Sequence, residues 1–157
     1  MTDFSLSPTT PIGELLPHQA PMILIDKLID ISDTKVHTQV LIQADGLFFD
    51  AATNTVPGYV GIEYMAQSIA AWSGYHAKQQ GKDPDIGFLL GSRRYHSDCA
   101  AFSLGQVLDI HAEQLMENNG MAAFYCQIMH QGKEIAHAQL NAFVPSPEQL
   151  NDMLAQQ

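Results

Sequence analysis

The stretch FFDAATNTVPGYVGIEYMAQ begins at Phe48 and ends at Gln67, and beyond Asp50 it sets one carboxylate, Glu63, in a run that is otherwise almost wholly apolar or small. A carboxyl in apolar surroundings is suited to holding a proton and handing it on. Gln67 lies four residues further on. In a helix that spacing puts it on the same face, where it can hold Glu63 by a hydrogen bond. Pro57 and Gly58 precede the pair. A helix that starts there leaves backbone N–H groups unpaired at its positive end. On the residues alone two readings of Glu63 stand: a proton-transfer group, or a structural glutamate satisfied by Gln67 or by a helix terminus. No histidine lies between His37 and His76 to share the work.

The elements that must position these residues follow from the spacing of apolar side chains. From Gly58 to about Gln80, residues Val60, Ile62, Met65, Ala66, Ile69, Ala70, Trp72 and Ser73 recur at helical spacing, and Gly81 supplies a stop. A helix apolar on most of its sides is a buried one. PIGELLP, from Pro11, suits one helical turn. MILIDKLIDI, from Met22, reads as a strand, and a polar turn at Ser32 and Asp33 follows it. In KVHTQVLI, Val36, Thr38 and Val40 alternate with His37, Gln39 and Leu41, as in a hairpin partner.

After the helix the period is two again. IGFLLGSRRYH, from Ile86, reads as a strand with a glycine kink. VLDIHAEQL puts Leu108, Ile110 and Ala112 on one face, and Asn119-Gly120 is a strong hairpin signal before AAFYCQIMH. Gly132-Lys133 turns the chain into the last strand, EIAHAQLNAFV. A short C-terminal helix over 146–157 is expected, with Ser146 as N-cap and Pro147 at its first position, and residues 1–10 read as a flexible start. Strands cluster and do not alternate with helices, so the class is α+β. The expected architecture is a single domain over 1–157, a curved antiparallel sheet wrapped around one long buried helix.

Composition narrows the partners. Lys and Arg total 7 against 17 Asp and Glu, a formal net charge of −10, so there is no basic field for nucleic acid. The only arginines, Arg93 and Arg94, sit side by side, as a local anion contact or a solvated strand end. Charged residues are only 15 % of the chain, which points to surface covered by a second subunit. Cys99 and Cys126 have no metal or CxxC spacing and read as free thiols of a cytoplasmic protein. The N-terminus lacks the pattern of a signal peptide. No apolar run reaches the ~18 residues of a membrane span. No two histidines on one element have a ligand spacing, so no metal is expected.

LPHQAPMILIDKLIDI from Leu16, VPGYVGIEYMAQSIA from Val56 and GFLLGSRRYHSDCAAFSLGQVLDI from Gly87 together resemble the hot-dog fold, and more narrowly the 3-hydroxyacyl-[acyl-carrier-protein] dehydratase family. Pro57, Gly58, Glu63, Met65, Ala66 and Gln67 match the start of that family's central helix in register. The chain also resembles the branch paired with aryl-polyene synthesis, whose members form mixed dimers. The resemblance implies a dimer, with itself or with a second hot-dog subunit, whose sites are built across the interface. It implies a substrate carried on the phosphopantetheine of acyl carrier protein, no other cofactor, and a catalytic carboxylate at Glu63. The family's second catalytic group is a histidine in the loop ahead of the helix. A gap-free count puts that position at Phe49, and DAATNT follows in place of the family's prolines and glycine, so the histidine's role passes to no residue here.

Dehydration of a 3-hydroxyacyl thioester needs a base for the C2 proton, an acid for the leaving hydroxyl and a donor to the thioester oxygen. The N–H of Gly58 or Tyr59 is the expected donor, Glu63 the catalytic group and Gln67 its support. Asp50 is a substitute base or simply a solvated loop carboxylate. Otherwise Glu63 serves as both base and acid, the base comes from a partner subunit, or the site binds acyl groups without turning them over. Arg93 and Arg94 are candidates for docking the acidic carrier. His18 reads as a structural hydrogen-bonder, His96 as a residue of the pantetheine mouth, and His111 and His137 as surface residues. Tyr64, Trp72, Tyr75 and Phe88 shape an acyl tunnel or are plain core. The implied function is that of a dehydratase-like protein of fatty acid or polyketide and aryl-polyene synthesis. A hot-dog thioesterase and a non-catalytic partner of a histidine-containing dehydratase are the alternatives.

Overall fold

Alternating apolar residues on successive strands leave one face of a sheet that only another apolar surface can cover. In the computed structural model that surface is a single helix, α1 (Gly61–Gln79). The structure describes residues 11–16, 22–81 and 88–143, with Asp152 and Ala155. The strands are β1 (Lys27–Ile31), β2 (Lys35–Leu41), β3 (Thr55–Pro57), β4 (Phe88–Ser97), β5 (Ala101–Ser103), β6 (Val107–Asn118), β7 (Met121–His130) and β8 (Lys133–Phe143). Six form one antiparallel sheet in the order β1-β2-β6-β7-β8-β4, and β3 pairs with β5 beside it. This curved sheet around one helix is the hot-dog arrangement that the motifs imply.

The core lies where the sheet meets α1. Val36, Val40, Leu108, Ile110, Phe124, Cys126, Ile128, Ala136, Ala138 and Leu140 are buried from the sheet side, with Met65, Ile69 and Ala71 from the helix. Each fully buried aliphatic side chain contributes about 1.5–3 kcal/mol. Thr38, Gln67 and Ser68 are the buried polar side chains among the described residues. The Ser68 hydroxyl donates to the Tyr64 carbonyl at 2.8 Å, so Thr38 is the donor in the 2.7 Å bond between the two hydroxyls. That bond ties the middle of β2 to the middle of α1.

Several boundaries differ from the sequence expectation, each for a local reason. The helix does not begin at Gly58: a 3-10 turn, Gly58–Val60, precedes α1. The strand expected from Met22 is confined to Lys27–Ile31, because Met22 and Leu24 bond to Gln67 on the helix. The glycine kink is an irregularity between Leu89 and Gly91 in β4's pairing with β8. Asn119 and Gly120 turn as expected, with φ of 53° and 84°. The next turn falls one residue earlier than Gly132-Lys133, on Gln131 and Gly132, with φ of 52° and 80°. The helical turn near Pro11 is present as Ile12–Glu14. The C-terminal helix and the first ten residues lie outside the described residues, apart from helical Asp152 and Ala155. None of the described helices is long and apolar enough to cross a membrane.

The sheet's other face carries a cross-strand row. His37 stands opposite His111, His111 opposite Gln127, Gln127 opposite His137, and His137 opposite His96. His111 and His137, expected at the surface, are half-buried in this row. His37 and His111 stack with ring centroids 4.2 Å apart, and His37 Nε2 lies 2.7 Å from Asp109 Oδ1. Burial, and then the charge of His37, pull the His111 imidazole below its ordinary value, against the opposing pull of Asp109. A depressed imidazole binds protons better in the unfolded chain, so stability falls as pH drops below the ordinary value of 6.5. Replacing His111 with Gln should therefore flatten the melting temperature between about pH 7 and pH 5. A pH profile identical to that of the unaltered protein would refute this role for His111.

Candidate active site

Pro57 brings the chain into the helix from β3, where it pairs with Ala101 of β5. The next residue is held from two sides. The Gly58 N–H donates to the Ala100 carbonyl at 2.8 Å. The Gly58 carbonyl accepts the Gly61 N–H and the Tyr95 hydroxyl, the latter at 2.5 Å. A side chain at residue 58 has no room, since a Cβ would stand 2.7 Å from the Cys99 carbonyl oxygen and 2.9 Å from that of Ala100. Of the two expected oxyanion donors, the Gly58 N–H is thus committed to Ala100. Tyr59, the next donor in sequence, is 70 % exposed.

Glu63 lies in the first turn of α1 and is half-buried. Gln67 Nε2 donates to Glu63 Oε1 at 3.3 Å and to the Met22 carbonyl at 2.6 Å. Gln67 Oε1 accepts the Leu24 N–H at 2.8 Å. The amide's orientation is fixed by the Met22–Leu24 backbone, so its second N–H can only face Glu63. One side chain thereby joins the helix carboxylate to the strip of chain before β1.

Tyr95 is a site residue that apolar spacing did not single out. Arg93 pairs with Gln139 and His96 with His137, so Arg94 and Tyr95 together stand opposite Ala138. This is a β-bulge, and Arg94 holds the left-handed conformation it needs, with φ 59°. The bulge turns Tyr95 inward beneath the helix start while Arg94 stays exposed. Gly61 leaves room for the ring, because a Cβ there would run into the Tyr95 hydroxyl and Ile128. The only advance signal was the Arg-Arg-Tyr run interrupting the strand's alternation. The Arg93 side chain lies outside what is described.

Asp50 closes its own loop. It forms an isolated bridge with Thr55, and its Oδ1 accepts the Ala52 N–H at 2.9 Å. His96 is exposed and pairs with Asp98 at 2.8 Å. Two of the expected tunnel residues, Tyr64 and Trp72, line separate cavities. Tyr64 lines one of about 350 Å³ with Leu24, Asp26, Phe48 and Val56. Trp72 lines another of about 380 Å³ with Ile69, His76 and Phe124, and its indole N–H donates to the Ser32 carbonyl at 3.1 Å. Burial, then the nearby Asp26 and Tyr95, push the Tyr64 phenol well above its ordinary value, so it stays a neutral hydroxyl. His18 and the Phe88 side chain lie outside the described residues. Among the described residues, no group of three or more His, Cys, Asp or Glu could hold a metal ion.

The Gln67 tether has a measurable consequence. Gln67→Leu leaves the Leu24 N–H and the Met22 carbonyl without their partner, at a cost of about 2 kcal/mol or more. Amide exchange at Leu24 should accelerate and the denaturant midpoint should fall. Unaltered exchange at Leu24 would mean that apolar packing alone holds the segment.

The comparisons with known proteins agree with this geometry. A family model for ApeP-like proteins, described as ApeP dehydratase, matches residues 10–155. The 3-hydroxyacyl-[acyl-carrier-protein] dehydratase FabZ of Rhizobium etli is 24 % identical over 156 residues, covering 94 % of this chain and 96 % of its own. A chain of the dehydratase heterocomplex ApeI:P from Xenorhabdus doucetiae matches with a TM-score of 0.85 and 34 % identity, covering 92 % of this chain and 97 % of that one. A hypothetical thioesterase protein from Streptococcus pneumoniae TIGR4, solved with coenzyme A, shares the fold alone, with a TM-score of 0.59 at 16 % identity over 74 % of this chain and 86 % of that one. The chain belongs to the ApeP-like dehydratase family, the hot-dog dehydratases of fatty acid or polyketide and aryl-polyene synthesis.

Proposed function

We propose that this protein is the carboxylate-bearing subunit of a mixed hot-dog dimer that dehydrates 3-hydroxyacyl groups carried on acyl carrier protein. The observation that carries this reading is Glu63, held by Gln67 one turn after a pinned Pro57-Gly58 helix start. Its loop, by contrast, offers Phe49 and a self-bonded Asp50 where the resembling family has a histidine. A helix that keeps one of two catalytic groups fits a site completed by another chain, and the ApeI:P structure is a heterocomplex.

In the proposed step the partner's base removes the C2 proton, and the electron pair forms the C2=C3 double bond as the C3–O bond breaks. Glu63 gives its proton to the departing hydroxyl, which leaves as water. The Tyr59 N–H donates to the thioester oxygen while negative charge develops there. Arg94, exposed on its bulge, and Arg93 beside it steer the acidic carrier. No cofactor beyond the carrier's phosphopantetheine takes part. The free thiols of Cys99 and Cys126 fit a cytoplasmic setting, the latter buried and pushed up to about 12 by that burial.

The test supplies 3-hydroxyacyl carrier protein to the protein alone and then together with a histidine-containing hot-dog partner. Enoyl product should form in the mixture only. In that mixture Glu63→Gln should lower kcat by about 100-fold or more, the usual range for losing a positioned acid or base. Enoyl product from the protein alone would exclude the need for a partner. Release of free carrier thiol would make the protein a thioesterase, and full turnover by Glu63→Gln would remove Glu63 from the chemistry.

A further inference from the structure

Tyr95 does no chemistry in the step above, yet the fold makes two concessions to place it. Arg94 takes a left-handed conformation, which a residue with a side chain disfavours. Residue 61 of the helix is a glycine, where any Cβ would meet the Tyr95 hydroxyl. Together these let one phenol reach one carbonyl, that of Gly58.

That carbonyl shares a peptide plane with the Tyr59 N–H. The peptide bond is planar and trans, so the two groups point in opposite directions along fixed lines. Whatever holds the Gly58 oxygen therefore aims the Tyr59 N–H. The preceding plane is fixed as well, because the Gly58 N–H is bound to Ala100. A hydrogen bond donated to a peptide carbonyl also polarises that peptide and strengthens its N–H as a donor. We propose that Tyr95 is a positioning residue, which orients and polarises the Gly58–Tyr59 peptide so that the Tyr59 N–H is preorganised to bind the thioester oxygen of the substrate. The inference rests on the dehydratase reading of this site and adds to it the residue that sets its donor. Burial raises the Tyr95 phenol above its ordinary value, against a lowering bond to Ser97, so the hydroxyl keeps its proton and remains a donor at neutral pH.

The test is Tyr95→Phe, which keeps the ring under the helix start and deletes the hydroxyl. In the assembly that forms enoyl product, kcat should fall about tenfold, a part of the ~100-fold that loss of an oxyanion donor itself causes. KM should change by less than about twofold, since the contact acts on the developing charge. A core variant, Ile110→Val, with a comparable loss of Tm should keep its kcat, which separates positioning from stability. The amide nitrogen resonance of Tyr59, read without substrate or turnover, should move upfield in Tyr95→Phe, while that of Gly120 in the distant hairpin stays in place. An unchanged kcat, or a Tyr59 resonance indifferent to Tyr95→Phe, overturns the proposal. If the unaltered protein forms no enoyl product in any assembly, the dehydratase reading fails instead, and the Tyr59 resonance alone decides whether Tyr95 sets that peptide.

Discussion

A helix that is apolar on most of its sides can rotate or slide inside a sheet with little loss of burial, because one aliphatic contact replaces another. What fixes α1 is a small set of buried polar bonds that tolerate no substitute. Ser68 and Thr38 join its middle to β2. Gln67 joins its outer side to the Met22–Leu24 backbone. Gly58 joins its start to Ala100 and Tyr95. Each of these bonds is lost if the helix turns by a single residue, and a buried polar group left unpaired costs about 1–3 kcal/mol. The apolar core supplies the stability, and these bonds select one register within it.

That register carries the site. Glu63 sits where it does because Gln67, one turn on, is oriented from outside the helix. The same three groups of bonds that anchor the fold therefore place the carboxylate and the peptide of the helix start relative to one another. This economy explains why Gln67, a residue with no proton to transfer at neutral pH, is fully buried beside Glu63.

The spacing of apolar residues made the helix, the long strands and both β6–β8 turns legible, because burial on one face leaves a periodic trace. It also made Glu63 and Gln67 visible, as polar interruptions four residues apart. Features set by tertiary pairing left no such trace. The segment Met22–Leu24 has the composition of a strand, yet its backbone bonds to a glutamine side chain instead of extending β1. Gly58 was legible as a helix start, but the loss of its N–H to Ala100 depends on the chain just ahead of β5, distant in sequence. Tyr95 escaped notice because alternation assigns a side chain to a face only while pairing stays in register, and the Arg94 bulge breaks it. Asp50 was legible as a loop carboxylate, and its Oδ1 accepts the Ala52 N–H within that loop.

An acyl-thioester site makes opposite demands on its parts. Groups that stabilise developing charge act by being in place beforehand, so they gain from rigidity. Groups that carry protons must meet a substrate atom at hydrogen-bonding distance in a bound pose, so they can come from any surface that closes over it. This chain keeps the rigid part, a glycine peptide bonded on both sides and a glutamate braced by a glutamine. Its loop before the helix is devoted to closing itself, through Asp50, Ala52 and Thr55. Under the proposed reading, then, the mobile proton carrier is the part that can be moved to a second subunit with least damage, because it asks only for a closing surface. The helix start cannot be so divided, since its two pinned peptides are neighbours in one chain.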